Sequence, residues 1–239
     1  YREHRILKEF LIGIKGGLFA GTTYALGLWL QGLGTRYTTA GNSAFITGLS
    51  VVFVHIYAGL VLKKYSWKLA LSLFLATAGL YFLTVPSTGF NIGDFLVLLG
   101  SFMWAAQIIL IDKYSRANPI VFTFFEMLPA LSFIIPDIVF GTLKPIEPTY
   151  IALIVYLALI CGDVAFALQV YGQKFINPAV AAIIYLLEPV SASFFAYIAL
   201  HETMNTSQLS GAAMILLSMM LASTDEGIVE KLNKLTSSS

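Results

Sequence analysis

The chain has 239 residues, 58% of them hydrophobic and 11% charged, with a mean hydropathy of +0.81 and a formal net charge of +1. Soluble domains carry about 25% charged residues, and a single soluble core of this size could not hide so much apolar surface, which excludes an ordinary globular protein. So small a charge excludes a nucleic-acid binder, and the one cysteine, Cys161, excludes an internal disulfide and comes with no metal-ligand spacing, so no cofactor is expected.

A helix needs about 20 apolar residues to cross a hydrocarbon core about 30 Å thick. Eight such segments are predicted: 10–33, 42–62, 67–85, 92–112, 119–140, 150–172, 178–200 and 206–223. The fold class expected is therefore an all-α integral membrane protein. In the first segment Gly13, Gly17 and Gly21 stand four apart, a row that lets another helix approach closely. Lys15 lies near its inner end and snorkels to the interface. The second segment carries His55, which either titrates near neutral pH or is a hydrogen-bonded core residue. Tyr65 and Trp67 read as interfacial anchors at the start of the third. The fifth is bent by Pro129 and Pro136 and holds Glu126, for which Lys113 and Arg116 are the expected partners. Turn chemistry separates the segments: Thr38-Thr39-Ala40-Gly41-Asn42, Pro86-Ser87-Thr88-Gly89, Asn118-Pro119, Lys144-Pro145 to Glu147-Pro148, and Asn177-Pro178.

Positive charge sets the orientation. With the N-terminal segment inside, the inner ends carry eleven Lys and Arg: Arg2, Arg5, Lys8, Lys63, Lys64, Lys68, Lys113, Arg116, Lys174, Lys231 and Lys234. The outer loops carry two, Arg36 and Lys144. Both ends of the chain are expected in the cytoplasm, the second as a polar tail over 225–239. The expected location is the cell membrane of a prokaryote, crossed several times, in a monomer or homodimer.

A gapless shift of 138 residues aligns the chain with itself. Over residues 30–72 the identities include Gln31 with Gln169, Gly34 with Gly172, Ala44 with Ala182 and Leu49 with Leu187. The first three segments fall on the last three, and five crossings lie between the copies, so the second copy is inverted. Inverted repeats are a common architecture of secondary transporters. The same spacing predicts two further helices ahead of Tyr1, in roughly 45–60 residues, making five helices in each half.

Three stretches carry a family resemblance: Gln31 to Thr47 around the first junction; Gly93-Asp94 with Trp104; and Asn177-Pro178-Ala179, Leu187-Glu188-Pro189-Val190 and His201-Glu202. In these the chain resembles the EamA-type members of the drug/metabolite transporter superfamily over its whole length. The resemblance implies a ten-helix, five-plus-five inverted-repeat fold. Residues 1–85 would then be the last three helices of one repeat, and 86–224 the five of the next. It departs from the family where a usual Gly-Glu reads Lys63-Lys64, and where the glycine of the second copy is His201. The resemblance implies export or exchange of a small metabolite. Amino acids are the first expectation; cationic drugs or other metabolites are the alternative.

Ionisable residues at bilayer depth default to functional roles. Glu188, with Pro189 expected to kink its helix, either faces a central cavity and binds a substrate amine or a proton, or caps a broken helix. Asp163, less expected from the family, either sets specificity or is buried in a paired or protonated form. Tyr24, Trp29, Gln31, Asn42, Thr47, Ser50, Trp104, Gln107, Gln169 and Tyr185, with His55, are candidates to line the cavity or to serve as ordinary packing. The partners expected are a small-molecule substrate, protons and the lipid bilayer. His4, His55 and His201 are scattered and no nucleotide-binding loop exists, so neither an enzyme nor an ATP-driven pump is expected. Nor does the sequence carry the long polar domain a sensor needs.

Overall fold

The computed structural model describes residues 2–63, 65–84, 89–141, 145–199, 201 and 204–224. Lys64, Lys144, Glu202, the Pro86-Ser87-Thr88 turn and the tail over 225–239 with Lys231 and Lys234 lie outside the described residues. Within them, all regular structure is helical. Eight helices are long and apolar enough to cross a membrane. They are α1 (Arg2–Gly34), α2 (Ala40–Val61), α3 (Trp67–Thr84), α4 (Ile92–Lys113), α5 (Pro119–Pro136), α6 (Pro148–Gly172), α7 (Pro178–Ala199) and α8 (Thr206–Ser223). The largest departure from expectation is at the start of α1. There the helix continues back to Arg2 through polar residues, because helical hydrogen bonding need not stop where the lipid does.

Local chemistry explains the starts. Asn118 accepts hydrogen bonds from the Ile120 and Val121 N–H groups, and Asn177 accepts one from Val180. Pro119, Pro148 and Pro178 each stand in the first turn, where the missing N–H has no partner to lose. Asn205 and Gln208 cap α8 reciprocally.

Four helices depart from α geometry inside their span. In α5, Pro129 offers no N–H to the preceding turn, and residues Leu128–Phe133 tighten to a 3₁₀ helix. Residues Ala58–Leu62 and Leu157–Val164 widen to π geometry, in α2 and α6 respectively. Helix α2 also breaks at Leu49, and α7 at Leu186. The break in α7 corrects the expectation of a kink at Pro189. A proline ring excludes the carbonyl four residues back, here that of Tyr185, so the helix stops one turn early and restarts at Leu187 with Pro189 in its first turn.

The chain packs as two compact units: residues 1–25 with 110–174, and residues 26–109 with 175–239. In the first, Ala20, Ile111, Ala117, Phe122 and Val170 form the core. The glycine row of α1 meets α5 there. A Cβ on Gly17 would run into the Phe122 carbonyl, and one on Gly21 into the Glu126 carbonyl. In the second unit α3 and α8 cross at Gly79 and Gly211; a Cβ on Gly79 would stand 2.8 Å from the Gly211 carbonyl oxygen. Around that crossing Leu69, Leu80, Ile183 and Ile215 are fully enclosed.

Candidate substrate site

In the first unit, Tyr24 is half-buried on α1. Its ring meets Phe166 of α6 edge to face, with centroids 4.8 Å apart. Asp163 lies in the π segment of α6, the least covered span of the molecule, and is exposed. Glu126 of α5 is fully buried and lies near Tyr24. Lys113 lies over the Tyr114 ring at 5.9 Å and Arg116 is exposed.

In the second unit, Ser50 and Glu188 occupy matching places. Each stands in the first turn of the half-helix that follows a break, and they are 138 positions apart. Glu188 is exposed and Ser50 half-buried. A carboxylate in a first turn is favoured by the partial positive charge of the unpaired N–H groups, so the position suits the capping role. Gln107 and His55 are each 2% exposed. The His55 Nδ1 lies 2.8 Å from the Val51 carbonyl oxygen and its ring meets Tyr65 edge to face, so it is a hydrogen-bonded core histidine. Trp104 is half-buried with its indole against Gly27 of α1. Tyr185, just before the α7 break, packs on the core of this unit. Thr47 is half-buried and Trp29 exposed.

Asn42 is committed elsewhere. Its Nδ2 donates to Asp94 Oδ1 at 3.1 Å, and the Thr38 hydroxyl donates to the same oxygen. Asp94 Oδ2 accepts the Asn91 N–H at 2.9 Å while the Asp94 N–H donates back to Asn91 Oδ1 at 3.0 Å. Asp94 is 1% exposed, so one buried carboxylate both caps α4 and ties it to the turn between α1 and α2. Asn91-x-x-Asp94 has the spacing of a reciprocal cap, a signal the sequence offered.

At the other end of the repeat, Lys174 donates to the Ala117 carbonyl at 2.8 Å. Burial pushes its amine below the ordinary lysine range, and the Glu9 carboxylate opposes that shift. Among the described residues no cluster of three or more His, Cys, Asp or Glu could hold a metal ion.

Known proteins resemble the chain in sequence and fold. The profile described as the EamA-like transporter family matches residues 91–224. An uncharacterized transporter of Archaeoglobus fulgidus is 37% identical over 212 residues, covering 87% of this chain and 68% of that protein. A chloroplastic WAT1-related protein of Arabidopsis thaliana is 30% identical over 84% of this chain and 52% of its own length. The chain thus spans between half and about two thirds of these relatives. A solved crystal structure superposes with a TM-score of 0.70 over 89% of this chain and 86% of its own, at 13% identity, a likeness of fold.

Proposed function

Because the chain belongs to the EamA-like transporter family, we propose that it is a secondary transporter of a small metabolite, with amino acids first in line, working by alternating access. The observation that carries the mechanism is the pair of broken helices. Helix α2 stops at Leu49 and α7 at Leu186, one position from exact register in the 138-residue repeat, and each restarts with a polar residue in its first turn. Interrupted helices near mid-membrane expose backbone N–H and carbonyl groups that bind substrate and ions in transporters, and inverted halves let the site open to each side in turn.

In this reading Ser50 and Glu188 stand at the breaks, and Trp104, Gln107 and Tyr185 supply hydrogen bonds and aromatic surface. Asp163 on α6 and Tyr24 on α1 are the candidates of the first unit. Asn42 and His55 act from behind, holding backbone in place. The excess of Lys and Arg at the inner ends supports placement in a cell membrane with residue 2 and residue 224 on the cytoplasmic side.

The test is counterflow. Protein in liposomes preloaded with pooled neutral and aromatic amino acids is given labelled ones at two pH values. Uptake above that of empty liposomes, reduced at least about tenfold by Glu188→Gln, is the expected result. No uptake by folded protein would remove amino acids and move the substrate to other metabolites or cationic compounds. Wild-type rates at every pH from both Glu188→Gln and Asp163→Asn would remove these carboxylates from the site.

A further inference from the structure

The connection between α2 and α3 has a mate in the second copy of the repeat, and the two differ in chemistry. Lys63 and His201 stand 138 positions apart, and both take left-handed backbone, with φ of 50° and 55°. The mate reads His201-Glu202-Thr203-Met204-Asn205-Thr206, with a carboxylate and no aromatic ring besides the imidazole. The connection reads Lys63-Lys64-Tyr65-Ser66-Trp67-Lys68. No Asp or Glu occurs in the sequence between Glu9 and Asp94. A left-handed residue at this place does not call for lysines and aromatic rings, because the second copy makes it without them.

The connection is held firmly at its base. The Tyr65 ring folds back on α2 and stands edge to face with His55, centroids 5.8 Å apart. It lies 3.9 Å from where a Cβ on Gly59 would stand. Ser66 Oγ accepts the Leu69 N–H at 3.2 Å as α3 begins. Lys68 Nζ donates to the Thr224 carbonyl at the end of α8, at 3.1 Å; an ammonium has three donors, and this bond uses one.

The remaining groups face outward. Lys63 is exposed, and Trp67 is 70% exposed. Leu71 and Phe74 follow Trp67 by four and seven positions, on the same face of α3, and both are exposed. Leu60 and Val61 are exposed at the end of α2. An indole at the edge of a span sits at the level of the lipid headgroups. The lysines beside it therefore stand where phosphates lie, and Leu71 and Phe74 run down where acyl chains lie.

We propose that this end of the second unit is a binding surface for an anionic phospholipid, its phosphate held by Lys63 and Lys68 and an acyl chain lying along Trp67, Leu71 and Phe74. A free anion would use the lysines and leave the apolar stripe idle; charge and stripe together fit a lipid. Basic side chains beside a span recognise anionic headgroups by this chemistry. The proposal rests on the chain's place in a membrane and holds whatever substrate is carried.

Trp67 supplies the reporter. Trp29 and Trp104 are replaced by Phe in the full chain, and the protein is reconstituted in phosphatidylcholine vesicles. Phosphatidylglycerol brominated on its acyl chains is then compared with brominated phosphatidylcholine as a quencher of Trp67 fluorescence. The expected result is quenching at a lower fraction of the anionic lipid. That preference falls about fivefold for each of Lys63→Gln and Lys68→Gln, and weakens as salt is raised. Trp29, kept as the single tryptophan toward the other end of its span, shows no preference. Equal quenching of Trp67 by the two lipids, or a preference that survives both lysine substitutions together, overturns the proposal. Inorganic phosphate added at constant ionic strength should leave the preference intact; if it abolishes it, the occupant is a free anion and the lipid assignment fails. These readings need no substrate, so they are decided separately from the transport assay.

Discussion

Residues 34–39 and 172–177 make the same turn, 138 positions apart, and are held in different ways. Each follows a helix that ends on glycine, Gly34 or Gly172, and each leads into a helix capped by a side chain, Thr39 or Asn177. At the first turn a Cβ on Gly34 would stand 2.7 Å from the Gly93 carbonyl oxygen and 2.7 Å from Val97 Cγ2; on Gly172 it would meet nothing within 4 Å. The first turn is clasped by the buried Asp94 carboxylate, whereas at the second a partly buried lysine, Lys174, reaches the Ala117 carbonyl. The repeat therefore carries a backbone path, and the neighbours that stabilise the path differ between copies. An identity between two copies is evidence of common geometry; it does not say that one force keeps both residues.

The largest effect that would break this comparison comes from the clasp. Asp94→Ala removes the acceptor for Thr38, Asn42 and the Asn91 N–H at one stroke. Buried donors left without partners cost about 1–3 kcal/mol each, so a loss of about 3 kcal/mol is expected, read as a lowered denaturation midpoint in detergent. Asp94→Asn keeps an acceptor and should lose less. A midpoint unchanged in Asp94→Ala would mean that the clasp does not hold the turn.

The glycine pair gives the next effect. Gly34→Ala forces α1 and α4 apart at a backbone contact, and over-packing of this kind costs about 1–3 kcal/mol. Gly172→Ala adds a methyl in open space to the last turn of a helix, where alanine is the better former by up to about 1 kcal/mol. The same assay should show opposite signs for the two. Equal losses would mean that the glycines serve one purpose in both copies.

Much of the fold was legible because hydropathy and turn chemistry act locally. The predicted 206–223 coincides with Thr206–Ser223, and 67–85 begins with the helix at Trp67. The internal irregularities were less legible. Pro129 announced a disturbance in α5, but the π segment Leu157–Val164 contains no proline, and hydropathy does not mark its widening. Pro189 was visible, yet its effect falls on the turn before it. Site residues were the least legible. Whether Glu126 or Glu188 is enclosed depends on which helix lies against it, and no periodicity of a uniformly apolar span records that. Asn42 looked like a cavity residue because it is polar; its use became visible only with Asp94 in place.

The smallest effect tests the repeat where the family pattern fails. Lys63 and His201 are also 138 positions apart, each after the end of a helix, and both take left-handed backbone, with φ of 50° and 55°. They are the two places where the resembled family has glycine. Left-handed geometry costs a residue with a Cβ about 1–2 kcal/mol, while glycine returns about 0.5–1 kcal/mol through the freedom of its unfolded chain. Lys63→Gly and His201→Gly should therefore each raise the denaturation midpoint slightly, by under about 1 kcal/mol. Valine at either position, β-branched and ill suited to positive φ, should lower it. A gain at one position and a loss at the other would show that the two copies share the path of the chain at this point without sharing its strain.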